Sequence, residues 1–408
     1  MRALWRSPAL GSAVIYGASG LGFAGANLIL ARVLPTAEYG LFTLVVAIVN
    51  LGHALGTLGV DGVVTRRHLE AGPDLLRRAT LAGLSVALVL SIISAVTYHL
   101  TLPMLLVVFV ATLWGGTMMV AASRFQSEER FGVSLALMQS PNLVLLLAAG
   151  VVVVSNIRTA TIPLYIVAIG MVVAAMVGWS LLLREWRARV SATGLNRFPW
   201  GEALSFAGLN GAGLLLVQLD RLVIPYVLSV HDLATYGVLA AIAGSLFRVL
   251  SMGVGYTLVP RLRVAPGVAE RRALVAREAK LIGVVVLAGS AVIWFLTPLV
   301  EQWFLVGKYH LAGSLVIAAI VSGVAKIANS FTKSIVSALA TARELSLVNL
   351  LSWGSVALAI PAAVIGARWG LTGVIYGVAL GWAVRALTAF AVTYRHLRLP
   401  APLPVAAQ

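Results

Sequence analysis

Twelve long apolar runs that contain few charged residues dominate this sequence and limit what it can fold into. A helix that crosses a membrane needs about 20 mostly apolar residues, and runs of that length follow one another along the chain. The predicted spans are 9–34, 41–63, 80–98, 102–122, 132–154, 160–183, 203–228, 236–260, 281–300, 312–337, 346–366 and 369–394. Hydrophobic residues make up 60% of the sequence and charged residues 11%, whereas soluble domains carry about 25% charge. We therefore predict an all-α polytopic membrane protein.

Basic residues between these runs predict the orientation, because cytoplasmic loops carry an excess of Lys and Arg. With the N-terminus inside, most cations fall in cytoplasmic segments, and the outer segments hold only Arg32, Arg158, Lys308 and Arg368. We therefore expect a multi-pass protein of the cytoplasmic membrane with both termini in the cytoplasm. This distribution also explains the net charge of +16 without a nucleic-acid partner, and we expect none.

An internal repeat relates residues 36–66 to residues 233–263. The matching residues are Ala37/Ala234, Tyr39/Tyr236, Gly40/Gly237, Gly56/Gly253 and Arg66/Arg263. Span 2 then corresponds to span 8, so two sets of six spans would have the same orientation. Transporters place substrate sites at the interfaces of such repeats. The sequence predicts a 6+6 parallel repeat with an N-terminal lobe at 1–200 and a C-terminal lobe at 201–408.

Charged residues inside the predicted spans are mostly positive. A charged side chain at a helix centre costs about 2.5–3.5 kcal/mol on insertion scales, so such residues usually face a cavity or a partner. The cations are Arg221, Arg248, Lys326, Lys333 and Arg385, and the acids are Asp61 and Asp220. A water-filled cavity with this positive excess would attract an anion. Alternatively, Lys333 could extend its amine to the inner interface.

Helical spacing predicts two polar faces. Residues three or four positions apart share a face of a helix. The face on span 10 consists of Ser322, Lys326, Asn329, Lys333 and Ser337. The face on span 2 consists of Asn50, His53, Thr57 and Asp61. His53 is a candidate proton carrier or an interhelical hydrogen-bond donor, and Asp61 is a coupling candidate or a residue of the inner water interface.

Asp220 and Arg221 are adjacent on span 7, so their side chains point about 100° apart and cannot neutralise one another across a turn. Asp220 therefore needs a partner elsewhere, and Arg248 on span 8 is the first candidate. Two interpretations are open, a structural ion pair or a pair that rearranges during transport.

Several segments carry a resemblance to a known family. They are Leu30-Ala31-Arg32-Val33-Leu34-Pro35, Ala37-Glu38-Tyr39-Gly40-Leu41-Phe42, Gly59-Val60-Asp61, Ala338-Leu339-Ala340-Thr341-Ala342-Arg343 and Gly366-Ala367-Arg368-Trp369-Gly370-Leu371-Thr372-Gly373. These segments resemble bacterial polysaccharide-unit flippases of the multidrug/oligosaccharidyl-lipid/polysaccharide exporter superfamily. The resemblance implies a V-shaped bundle with alternating access. It also implies a polyprenyl-diphosphate-linked oligosaccharide as substrate, with membrane lipids and other polysaccharide-assembly proteins as partners.

Two other classes of protein stay open. An ion-coupled drug exporter of the same superfamily would handle mainly cationic compounds, which an acidic cavity would suit better than a basic one. A membrane-embedded polysaccharide polymerase or ligase would need catalytic residues in outer loops, and the outer loops here are short. The sequence contains no metal-ligand spacing and no phosphate-binding Gly-x-x-x-x-Gly-Lys element. We therefore expect neither catalysis nor a metal or cofactor.

Overall fold

The computed structural model describes residues 8–188, 198–265 and 267–398, and this part of the chain is helical without a β-strand. The helices are α1 Pro8–Val33, α2 Thr36–Leu55, α3 Val60–Arg67, α4 Pro73–Tyr98, α5 Leu102–Ser127, α6 Phe131–Val154, α7 Thr161–Ala188, α8 Trp200–Val227, α9 Val230–Val264, α10 Val268–Leu299, α11 Gly313–Leu339, α12 Ala342–Gly366 and α13 Gly370–Tyr394. Short turns of other helix types are Val300–Phe304, Ala367–Trp369 and Arg395–Leu397. Each predicted span has a long helix, which confirms the all-α polytopic prediction.

Length and composition qualify nine helical segments of the described residues as candidate membrane spans, and the last of these, Arg343–Leu397, contains both α12 and α13. Large apolar side chains point away from the protein along these helices. On α10, for example, Leu287 is 73% exposed and Phe295 is 71% exposed. Such apolar surface would be unfavourable in water and is suited to lipid.

The predicted second span is broken, which corrects the continuous polar face expected from Asn50 to Asp61. Helix α2 ends at Leu55, and α3 begins only at Val60. Between them Leu58 and Gly59 adopt positive φ angles of 43° and 79°, which a helix cannot contain. A Cβ atom on Gly59 would lie 1.8 Å from the carbonyl oxygen of Ala203 on α8. The close approach of α8 therefore requires glycine at this turn.

Residues cluster into two compact units, 1–241 and 242–408, which divide within α9. The first unit includes α8, because α8 packs against α2 and α3. The core of this unit contains Phe125, Met118 and Trp179, and the Trp179 indole donates a hydrogen bond to the Thr117 carbonyl oxygen at 2.9 Å. The lobes at 1–200 and 201–408 stay a prediction from the repeat.

The glycines of the two Tyr-Gly pairs lie at close contacts between α2 and α9 in the first unit. A Cβ atom on Gly40 of α2 would lie 2.2 Å from the Val230 carbonyl oxygen at the start of α9. A Cβ atom on Gly237 of α9 would lie 2.8 Å from Thr43 and 3.2 Å from the Tyr39 ring, both on α2. Each glycine thus permits the close approach of these two helices.

The second unit contains α10 to α13 and the end of α9. Helix α13 packs against both α11 and α12. Helix α12 begins with a capping box, in which the Thr341 side chain accepts from the Glu344 backbone N–H and the Glu344 carboxylate accepts from the Thr341 backbone N–H. This arrangement satisfies two backbone donors at the helix start.

Candidate functional site

The polar face predicted for span 10 lies on one unbroken helix, α11. Asn329 is buried, Lys326 is half-buried and Lys333 is exposed. The face therefore runs from the packed interior of the second unit to its surface. Helix α11 packs against α13, the helix that carries Arg385.

Arg385 is buried in the second unit, with 8% of its surface exposed. Its Nε donates a hydrogen bond to the Ser352 hydroxyl of α12 at 3.2 Å, and its Cζ lies 5.8 Å from the centre of the Trp382 ring. Lys333 lies on α11, the helix that packs against α13. The structure thus places two of the predicted cations, Lys333 and Arg385, on neighbouring helices.

Ser352 and Trp382 were missed by the sequence reasoning. Ser352 belongs to a series of polar residues on α12, Asn349, Ser352 and Ser355, that recur every three positions. That spacing is a signal of a shared face and could have indicated Ser352. No comparable signal singles out Trp382, because an aromatic residue in an apolar helix is most often part of the packing.

The second unit contains four acids. They are Glu270, Glu278, Glu301 and Glu344. Glu301 faces His310, and Glu344 pairs with Arg395 and His396. In the described residues, no carboxylate lies within ion-pair distance of Arg385 or Lys333.

Glu344 precedes the predicted span 346–366. Burial alone would raise the pKa of its carboxyl, but the Thr341 backbone N–H, His396, Arg395 and the Thr341 hydroxyl outweigh that effect and lower the pKa to about 2. The carboxylate accepts from Arg395 Nε at 2.7 Å and lies 2.8 Å from His396 Nε2. Glu344 therefore stays ionised and joins the start of α12 to the residues that follow α13.

Asp220 is fully buried in the first unit. Its carboxylate accepts a hydrogen bond from the Tyr236 hydroxyl at 2.7 Å, a partner that the sequence reasoning missed although Tyr236 was part of the repeat. Arg248 has a side chain outside the described residues, so its pairing with Asp220 and its role in the site stay predictions.

Arg221 is half-buried, and its Nη1 donates to the Gln218 side-chain oxygen at 3.0 Å. It also interacts electrostatically with Tyr39 and Tyr236. The adjacent Asp220 and Arg221 thus lie beside the two tyrosines that the repeat relates.

His53 and Asp61 are not brought together on one helix. His53 is half-buried on α2, where a Cβ atom on the facing Gly115 would lie 2.5 Å from the His53 Cβ. Asp61 lies in the first turn of α3, beyond the break at Gly59. The nearby Arg66 and Arg67 pair with Glu202 of α8 at 3.2 and 2.6 Å, so Glu202 is the acid that these arginines use.

A small cavity of about 20 Å³ lies among α1, α2, α5, α6 and α7 of the first unit. Its walls are mostly apolar, with the amides of Asn50 and Asn142 among the lining groups. Asn142 donates to the Ser19 hydroxyl at 2.8 Å and to Gln139 at 3.0 Å. The sequence reasoning did not identify this neutral polar network, because its residues come from two helices that are distant in sequence.

No protein-family model matches the chain, and no curated protein matches it. Solved structures do match. An inward-facing multidrug resistance MATE family transporter of the MOP superfamily is 14% identical, with 95% of this chain and 98% of that chain covered and a TM-score of 0.61. The lipid II flippase MurJ, in an inward closed conformation, is 10% identical, with coverages of 94% and 87% and a TM-score of 0.63.

A third structure is the MATE multidrug transporter DinF-BH in complex with R6G. It is 15% identical, with coverages of 96% and 95% and a TM-score of 0.58. At these identities the likeness concerns the fold. Because it extends over nearly the whole chain, this is a multi-pass membrane protein with the fold of MOP-superfamily transporters.

Proposed function

We propose that this protein flips a polyprenyl-diphosphate-linked oligosaccharide from the inner to the outer leaflet of the cytoplasmic membrane, for assembly of a surface polysaccharide. The observation that carries the proposal is the cationic interior of the second unit. Arg385 is buried there with the Ser352 hydroxyl as its hydrogen-bond partner, and Lys333 lies on α11, which packs against the helix of Arg385. Among the described residues, no carboxylate lies within ion-pair distance of either cation. A diphosphate is an anion that such a site can stabilise.

The proposal also includes the other cations of the predicted spans. Lys326 and Asn329 lie on the same helix as Lys333, so a diphosphate could pass between two depths of the membrane. Arg221 and Arg248 are the remaining cations inside the predicted spans, and we include them in the proposed substrate-binding set. Lysine, a flexible point charge, suits transient contacts with a moving headgroup.

The proposal also includes the orientation of the chain in the membrane and the roles of its two predicted lobes. Both termini face the cytoplasm, as the loop charges predict. The lobes 1–200 and 201–408 alternate access around the substrate. MurJ, a lipid II flippase with a TM-score of 0.63, supports a lipid-linked substrate for this fold.

Drug export is the second candidate, because DinF-BH, with a TM-score of 0.58, is a multidrug transporter. A site for cationic drugs would need an available carboxylate. The buried acid Asp220 in the first unit accepts a hydrogen bond from Tyr236, and the second unit has no acid near Arg385 among its described residues. The charge therefore favours the lipid diphosphate over the drug.

The test compares both substrates in one preparation. Purified protein is reconstituted into liposomes that contain a polyprenyl-diphosphate-linked oligosaccharide, and a lectin added outside measures the fraction of sugar that becomes accessible with time. R6G transport is measured in parallel. We expect sugar translocation above that of protein-free liposomes. Transport of R6G without sugar translocation would overturn the proposal in favour of the drug exporter.

A further inference from the structure

The buried surroundings of Arg385 combine several hydrogen-bond donors with very few acceptors. In the described part of the chain, the guanidinium makes one hydrogen bond, from Nε to the Ser352 hydroxyl. Arginine has five N–H donors in a planar fork, so the two Nη groups are left for another acceptor. An oxyanion of phosphate type matches this fork with two parallel hydrogen bonds.

Trp382 provides a second and independent observation. Its side chain is almost completely buried, with 4% of the residue exposed, and its Nε1–H has no hydrogen-bond partner among the described residues. A buried donor without an acceptor is unfavourable, so a ligand that accepts from it is stabilised. Trp382 lies one helical turn before Arg385 on α13, and their side chains are in contact range.

Ser352 holds the guanidinium in place. Its hydroxyl donates to the Val348 carbonyl oxygen at 2.7 Å, which directs a lone pair of the oxygen toward Arg385 Nε. The serine proton is therefore already used within α12, and Ser352 acts as a positioning residue rather than as a ligand. Fixing Nε in this way orients the whole planar fork.

We propose that Arg385 and Trp382, with Ser352 as the positioning residue, form a binding subsite for one phosphate-type oxyanion within the second unit. The inference rests on the proposed function in one respect, since the phosphate of a lipid diphosphate would be its occupant during transport. A free phosphate has the same chemistry. The residues of the subsite lie on helices α12 and α13.

The test measures binding to the purified full-length protein in detergent by isothermal titration. Inorganic pyrophosphate is the free anion, and farnesyl diphosphate is the lipid-linked one. We expect Arg385→Gln to weaken binding at least tenfold and Arg385→Lys to weaken it less. Arg368→Gln is the matched control, because it removes one positive charge from an exposed position in the turn before α13 and should leave binding unchanged.

Ser352→Ala tests positioning. We expect it to weaken binding of both anions about threefold to tenfold, with recovery in Ser352→Thr, which restores a hydroxyl. Trp382→Phe keeps an aromatic side chain but removes the Nε1–H donor, and it too should weaken anion binding. If the Arg385→Gln protein is not monodisperse, the subsite is tested by anion binding to Arg385→Lys and Trp382→Phe alone.

The outcomes separate the two sources of the anion. Binding of both ligands that depends on Arg385 supports a subsite for the phosphate group itself, and Arg385-dependent binding of farnesyl diphosphate alone supports a lipid headgroup. Equal binding by wild type, Arg385→Gln and Arg385→Lys, or no binding of either ligand, would overturn the subsite. Failure of the proposed function has another signature, which is Arg385-dependent anion binding without sugar translocation.

Discussion

The two compact units treat their charged residues differently. In the first unit, 1–241, charges have polar partners: Asp220 accepts from Tyr236, Arg221 donates to Gln218, and Arg67 pairs with Glu202. In the second unit, 242–408, Glu344 at the start of α12 pairs with Arg395. Arg385 in its interior has a neutral serine as its hydrogen-bond partner.

This difference separates two uses of charge in a membrane protein. A charge with a fixed partner holds helices together, and removing either member leaves the other unsatisfied. Arg385 has no carboxylate within ion-pair distance among the described residues and is available to a ligand, so its removal should affect transport more than stability. Substitutions in the two units should therefore have different consequences, and four predictions test this comparison.

The largest effect should come from removing the lysines of α11. We expect the double variant Lys326→Gln/Lys333→Gln to reach the membrane but to translocate sugar at less than one tenth of the wild-type rate. Lys326→Arg should remain partly active because it keeps the charge. The liposome assay measures the rate, and Lys280→Gln, at an exposed position of α10 just before the predicted span 281–300, is the control. Full translocation activity of the double variant would contradict the proposed cationic site.

The next effect is on the stability of the first unit. Gly59→Ala would force a side chain into a backbone with φ of 79° and against the Ala203 carbonyl oxygen. We expect the free energy of unfolding to fall by about 2 kcal/mol or more, which would be measured as a lower Tm in detergent. Gly354→Ala in α12 is the counterpart in the second unit, where nothing lies within 4 Å of the added atom. Equal Tm values for the two variants would show that the contact with α8 is not tight.

A smaller effect is expected from the buried pair of the first unit. Hydrogen bonds to charged groups contribute about 1.5–3 kcal/mol, so Tyr236→Phe and Asp220→Asn should each lower the Tm. Because the two side chains interact, the double variant should be less destabilised than the sum of the single variants. Strict additivity would mean that the hydrogen bond between Tyr236 and Asp220 contributes nothing.

The smallest effect concerns Glu344 in the second unit. Glu344→Gln should lower the free energy of unfolding by about 1–2 kcal/mol at neutral pH, because Arg395 and His396 lose a charged acceptor. The folded pKa of about 2 lies below the ordinary value of about 4.3. The stabilisation is therefore complete above the ordinary value and is lost as the pH falls toward 2.

The measurement is the Tm of wild type and Glu344→Gln between pH 7 and pH 3, with the exposed Glu270→Gln as control. The difference between wild type and Glu344→Gln should narrow below about pH 4. A difference that is constant over this range would rule out the lowered pKa.

The helices were predictable because a membrane requires about 20 apolar residues for each crossing, and those runs are visible in the sequence. The break between Leu55 and Val60 was not, because its cause is a contact between Gly59 and Ala203, which belongs to another helix. Local sequence carries no information on which distant backbone approaches a glycine.

The candidate site was predictable in its residue types but not in its arrangement. Charges inside apolar runs identified Lys333, Arg385 and Asp220. Which of them meet depends on how helices rotate and pack, and periodicity alone does not fix that. The Asp220 partner Tyr236 lies across the turn between α8 and α9, and neutral residues such as Tyr236 and Ser352 do not stand out by charge.

The contacts of Gly40 and Gly237 have a consequence for which substitutions this part of the chain tolerates. Gly40 on α2 meets Val230 at the start of α9, and Gly237 on α9 meets Thr43 on α2. A bulkier residue at either glycine would therefore need a compensating change on the facing helix. The sequences of α2 and of the start of α9 thus constrain one another at these two positions.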